Sequence, residues 1–169
     1  MKKLLCLLLA ALLLLAGCAG PVQKPEDEST EAVPMVSMYE LRKAMLETQP
    51  GLPDMTAVSS SDENAGALFA YLSELDYEKV EGYFLAYSSD GKTANEFAVV
   101  CLKDPADLPA LEATLKAHVQ GRVSLYKSYA PELVEQASAA EIVTEGRYMA
   151  LIMCEDRAAV KAAFLAGVR

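Results

Sequence analysis

The strongest constraint on this fold is a pattern that occurs twice: two apolar strand-like runs joined by a polar turn, then an amphipathic helical stretch. Tyr83, Leu85 and Tyr87 alternate with Phe84, Ala86 and Ser88, then Ser89-Asp90-Gly91-Lys92 supplies turn chemistry and Glu96 to Leu102 forms a second apolar run. Alternation interrupted by a Gly-containing polar turn predicts a β-hairpin. Asp104-Pro105-Ala106-Asp107 then sets out an N-cap, a proline at the first helical position and an acid in the first turn. Leu108, Leu111, Leu115, Val119, Val123 and Tyr126 follow at steps of three and four, one apolar face of a long helix, with Glu112 and Lys116 paired on the other side.

The second unit repeats this layout. Ile142, Val143 and Thr144 lead through Glu145-Gly146 into Tyr148 to Cys154, a run so apolar that it predicts an interior strand. Asp156 caps a closing helix with Val160, Ala163 and Phe164 inward and Gly167 at its end. Ahead of both units, Ser37-Met38-Tyr39-Glu40 is a capping box, Met38, Leu41 and Met45 share one helical face, and Pro50-Gly51 stops the helix. A short helix is predicted over Asn64 to Leu72. The expected class is α+β: N-terminal helices, then two tandem strand-strand-helix units forming one antiparallel four-stranded sheet with the helices on one face.

The N-terminal residues carry a different message. Met1, Lys2 and Lys3 precede an apolar run from Leu4 to Leu15, then the small pair Ala16 and Gly17. A basic start, a short apolar stretch and small residues at the end describe a secretory signal. A membrane-spanning helix needs about 20 apolar residues, more than this stretch offers before Pro21, Gln23 and Lys24. Leu15-Ala16-Gly17-Cys18 resembles the lipobox of bacterial lipoprotein precursors, and that resemblance implies that Cys18 is lipidated and becomes the new N-terminus. From Ala19 to Val36 prolines and acids replace large apolar residues, so this segment is expected to be a flexible acidic linker. The expected organisation is a signal peptide over 1–17, the lipidated cysteine and linker over 18–36, and a single α+β domain over 37–169.

Charge narrows the partners. Without Lys2 and Lys3 the 15 basic residues fall to 13 against 24 acidic ones, a net charge of −11. Such a body is repelled by nucleic acid and by anionic headgroups, so nucleic acid is not an expected partner and the membrane is reached through the lipid on Cys18. The expected location is the extracytoplasmic face of the cell membrane.

Leu52-Pro53-Asp54-Met55, the strand at Glu96 to Lys103, Tyr129-Ala130-Pro131 and Gly146-Arg147-Tyr148, taken with the lipobox, resemble a family of small lipoproteins of Gram-positive, clostridia-like bacteria catalogued as a domain of unknown function. The resemblance implies a surface lipoprotein and brings no catalytic residue with it.

Residues that carry chemistry are sparse. His118 is the single histidine, with Thr114 and Arg122 one turn away, and is expected at the solvent side or flank of the long helix. Cys101 and Cys154 remain as thiols in the folded part, lack C-x-x-C spacing, and are expected as buried free thiols rather than a bridge. Glu132, Glu135, Glu141, Glu145, Glu155 and Asp156 are scattered, with Glu141 and Glu145 expected on a solvated strand face. No metal, cofactor or catalytic set is expected. The one region singled out is the turn from Tyr126 through Tyr129 to Pro131, with Tyr148 nearby, a candidate binding surface because tyrosines contribute contact area at low entropy cost. The functional expectation is a membrane-tethered, non-enzymatic binding module for an envelope protein, peptide or small ligand; the alternatives are an envelope hydrolase using the scattered carboxylates and a structural or assembly lipoprotein.

Overall fold

A computed structural model describes residues 35–52 and 54–169. The signal, Cys18, nearly all of the linker and Pro53 lie outside the described residues. Five strands form one antiparallel sheet: β1 (Met55–Ser59), β2 (Val80–Ser88), β3 (Glu96–Leu102), β4 (Glu141–Glu145) and β5 (Tyr148–Met153), in the order β1-β2-β3-β5-β4. The helices are α1 (Met38–Glu47), α2 (Ala65–Phe69), α3 (Leu108–Tyr129), α4 (Val134–Ser138) and α5 (Arg157–Val168).

The two hairpins form as the sequence predicts, and they join through β3 and β5, where Val100 stands opposite Met149 and Ala98 opposite Leu151. β5 is interior and buried along its whole length. The strand count corrects the expectation of four. Met55–Ser59 pairs with β2, Met55 opposite Ser88 and Ser59 opposite Phe84. As a half-buried edge strand whose Met55 and Val58 are three apart, it lacks the period-two apolar alternation that marks a strand in sequence.

The placement of helices on one face is likewise corrected. Both faces of the interior strands are apolar, so each side needs a cover. Tyr83, Leu85, Ala98, Val100, Leu102, Met149 and Leu151 pack with α2, α3 and α4, while Phe84, Phe97, Val99, Ala150 and Ile152 pack with α1 and α5. The result is three layers. On the second face Gly167 sits inside α5, not past its end; a Cβ there would lie 2.6 Å from Leu41 Cδ1, so the glycine lets α5 press against α1.

Side-chain caps open three helical segments. Ser37 Oγ accepts from Glu40 N–H at 3.3 Å at the start of α1, Asp156 Oδ1 from Ala159 N–H at 3.2 Å at the start of α5, and Asp104 Oδ1 from Ala106 N–H at 2.8 Å at the single 3-10 turn Pro105–Asp107 that leads into α3. Each satisfies a backbone donor that the first turn leaves open. α3 buries Leu111, Leu115, Val119, Val123 and Tyr126, the face read from the sequence. α2 is shorter than expected, ending at Phe69 rather than Leu72, and Asp62 closes the turn after β1 by accepting from Ser59 N–H at 2.6 Å.

Candidate functional site

Between α2 and α3, on the α3 side of the sheet, lies an open cleft of about 620 Å³. Val58 of β1 with Leu85 and Tyr87 of β2 form its floor, Leu68 and Tyr71 one wall, and Gly121 and Leu125 the other. Tyr71 and Leu125 remain exposed at the rim. Gly121 is mid-helix, where glycine costs about 1 kcal/mol relative to alanine, and a Cβ there would meet nothing within 4 Å. No close packing requires this glycine, and its missing side chain keeps the wall open.

At the inner end is a charged cluster. Glu96 opens β3 on the same face as Ala98 and Val100, and only 3% of its surface is exposed. His118 and Arg122 reach it from successive turns of α3. His118 Nε2 lies 2.5 Å from Glu96 Oε1, and Arg122 Nε lies 3.3 Å from Oε2. Arg122 Nη2 donates to Tyr126 Oη at 2.6 Å and the guanidinium lies 5.0 Å from the Tyr126 ring centroid. Burial pushes the Tyr126 phenol up, partly offset by the Arg122 charge. A buried carboxylate must be matched by cations and hydrogen bonds, and here both oxygens are engaged.

His118 lies on the flank of α3 rather than its solvent side, with its ring turned inward to a buried acid. The signal was present. Glu96 heads a strand that is otherwise wholly apolar, and His118 and Arg122 are four residues apart on the helix that covers that strand face. A carboxylate in that position calls for a cation on the opposing helix.

Among the described residues no free hydroxyl or thiol joins the cluster as a nucleophile. Ser73 and Thr114 lie near His118, but Ser73 Oγ is 2.6 Å from Thr114 Oγ1, accepts from Leu75 N–H at 3.1 Å, and Thr114 Oγ1 donates to the Leu111 carbonyl at 2.9 Å. Those hydroxyls tie the loop after α2 to α3. Among the described residues no group of three or more His, Cys, Asp or Glu side chains is arranged to hold a metal ion.

The thiols are free and buried. β3 and β5 are neighbours, yet Cys101 stands opposite Tyr148 while Cys154 lies beyond the Glu96–Met153 pair at the other end. At about 3.4 Å per residue that separates them by about 20 Å, far beyond the reach of a disulfide. Burial pushes the Cys101 thiol up and raises Cys154 to about 11, so neither is a ready thiolate.

The tyrosine surface read from the sequence is divided. Tyr126 is buried on the α3 face, Tyr148 on the opposite face, where its hydroxyl accepts from Val36 N–H at 3.0 Å. Tyr129, the last residue of α3 and 82% exposed, and Pro131 just past it remain at the surface. Glu141 meets Arg157 and Lys161, and Glu145 meets Arg169, so β4 is laced to α5 rather than bare. A second cleft of about 640 Å³ gathers Glu132, Glu135 and Glu155. Its polar lining is partly committed: Gln136 Nε2 donates to Asn95 Oδ1 at 2.7 Å and binds α4 to the β2–β3 turn.

These features define an α+β domain with helices on both faces of an antiparallel sheet and an amphipathic cleft on one of them. The chain belongs to the family described as Domain of unknown function (DUF4358), whose model matches residues 56–154, more than half of its length. The match spans almost the whole sheet, α2 to α4, and every residue lining the cleft, while α1 and α5 lie outside it. Comparison with curated proteins and with solved structures finds no match.

Proposed function

We propose that this chain is a lipid-tethered, extracytoplasmic binding module that takes a ligand in the cleft between α2 and α3. The observation that carries the reading is that open, largely apolar cleft closing on a few fixed polar groups, the usual composition of a small-molecule site. The tether rests on the basic, apolar and small-residue layout that ends at Cys18, together with the likeness to Gram-positive lipoproteins. The missing hydroxyl or thiol partner for His118 favours binding over acyl transfer.

A hydrolase reading draws on the second cleft, which gathers Glu132, Glu135 and Glu155 of the scattered acidic set into one concavity. The two are separated by a photo-crosslinking residue placed at Leu125 and, as a control, at Ala158 on α5. Capture in cells from position 125 alone, without turnover of peptide or cell-wall substrates, is expected. Turnover that stops in Glu132→Gln or Glu135→Gln would replace the module with the hydrolase. Cys18→Ala should release the protein from membranes; retention through a high-salt wash would remove the tether.

A further inference from the structure

We infer that the ligand of the α2–α3 cleft is a small apolar molecule bearing one carboxylate, seated with its acid against Arg122; this rests on the cleft reading above. The floor decides the sign of the charge. Among the described residues Glu96 is the only acid lining the cleft, it is almost fully buried, and its oxygens are engaged by His118 and Arg122. An amine entering the cleft would find no free carboxylate oxygen and would leave its own charge desolvated.

An acid finds donors. Arg122 lines the cleft with a side chain 31% exposed; Nη2 is given to Tyr126 and Nε is held beside Glu96, while Nη1 has no protein acceptor among the described residues. Guanidinium groups fixed by neighbours lose little freedom on binding a carboxylate, and the resulting hydrogen bonds are charge-assisted. Leu68, Leu85 and Leu125 supply apolar contact for the rest of the molecule, and Gly121 leaves space at the wall beside Arg122. The volume suits a ligand of ordinary metabolite size.

The test uses three probes with one body: 3-phenylpropionate, 3-phenylpropanamide and 3-phenylpropylamine, titrated into the full chain in detergent and followed by backbone amide shifts. The acid should bind about tenfold or more tightly than the amide and the amine, with shifts at Val58, Leu85 and Leu125. Arg122→Met should remove the preference for the acid while the amide binds as before, and Arg122→Lys, which keeps the charge, should restore part of it. Gly121→Leu, whose Cβ meets nothing within 4 Å, should fill the open wall and abolish binding of all three. Equal or tighter binding of the amine or amide would overturn the carboxylate and leave the cleft. No shifts with any probe, or binding indifferent to Gly121→Leu, would overturn both.

Discussion

Arg122 Nε stands 3.3 Å from Glu96 Oε2 and yet has no acceptor in line for its hydrogen. The pair is held by charge more than by a directed hydrogen bond, and His118 supplies the directed contact on the other oxygen. Removing one member of a buried ion pair strands the other, which costs about 3 to 5 kcal/mol. Glu96→Ala should lose that much in urea unfolding. A double-mutant cycle with His118→Ala should show coupling of about 0.5 to 3 kcal/mol; strictly additive losses would mean the two side chains do not act together.

The tyrosines should split by burial. Tyr126→Ala and Tyr148→Ala remove rings from the two cores and should each cost about 3 to 5 kcal/mol. Tyr129→Ala, at an exposed ring, should stay within about 0.5 kcal/mol. If a partner contacts the end of α3, the same Tyr129→Ala should weaken capture by about 1 to 3 kcal/mol. Melting temperature and crosslinking yield on the same three proteins decide it, and unchanged capture by Tyr129→Ala would clear that surface of a role.

Alkaline pH should loosen the fold. Burial raises the Tyr83 phenol from 10.0 to about 12 and the Cys154 thiol from 9.0 to about 11. Both groups hold their proton more tightly folded than unfolded. Their contribution is therefore complete below about pH 9 and falls as the pH rises through about 11 and 12. Stability at pH 11 should lie about 2 kcal/mol or more below that at pH 8. Tyr83 Oη donates to the Ala65 carbonyl at 2.7 Å, so Tyr83→Phe should cost about 1 kcal/mol at pH 8. It should also flatten the alkaline slope; parallel slopes would assign the loss to other groups.

Gly167 offers a test of packing against propensity. Alanine in a helix is worth about 1 kcal/mol over glycine, but here its methyl would meet the buried tip of Leu41. Gly167→Ala should be destabilising in the parent and become neutral or stabilising when combined with Leu41→Ala. A stabilising Gly167→Ala on its own would mean that Leu41 moves aside freely.

Sequence revealed what periodicity encodes. The buried face of α3 from Leu111 to Tyr126, the span of β3 and the caps at Ser37, Asp104 and Asp156 could all be read directly, because each depends on residues a few positions apart. Pairing depends on distant residues. β1 escaped because an edge strand needs only half a face of apolar side chains, and α4 because five residues give too little period to see. The second helical layer was implied by the apolarity of both faces of β3 and β5, a clue weighed only for β5. The charged cluster required pairing Glu96 with a helix that begins twelve residues later, a contact set by tertiary register and not by spacing.

The hydrogen bond from Val36 N–H to Tyr148 Oη fixes where a load on the N-terminal side of the domain would enter the sheet. Met35 lies against Gly82, where a Cβ would come within 2.5 Å of its sulfur, so the chain joins the domain where β2 and β5 begin, on the face covered by α1 and α5. Tyr87 and Glu96, in the cleft, are at the far ends of their strands and Glu96 points to the other face. A pull applied at Val36 would therefore load an interior strand first and reach the cleft last. Under such a load the cleft would lie outside the line of force.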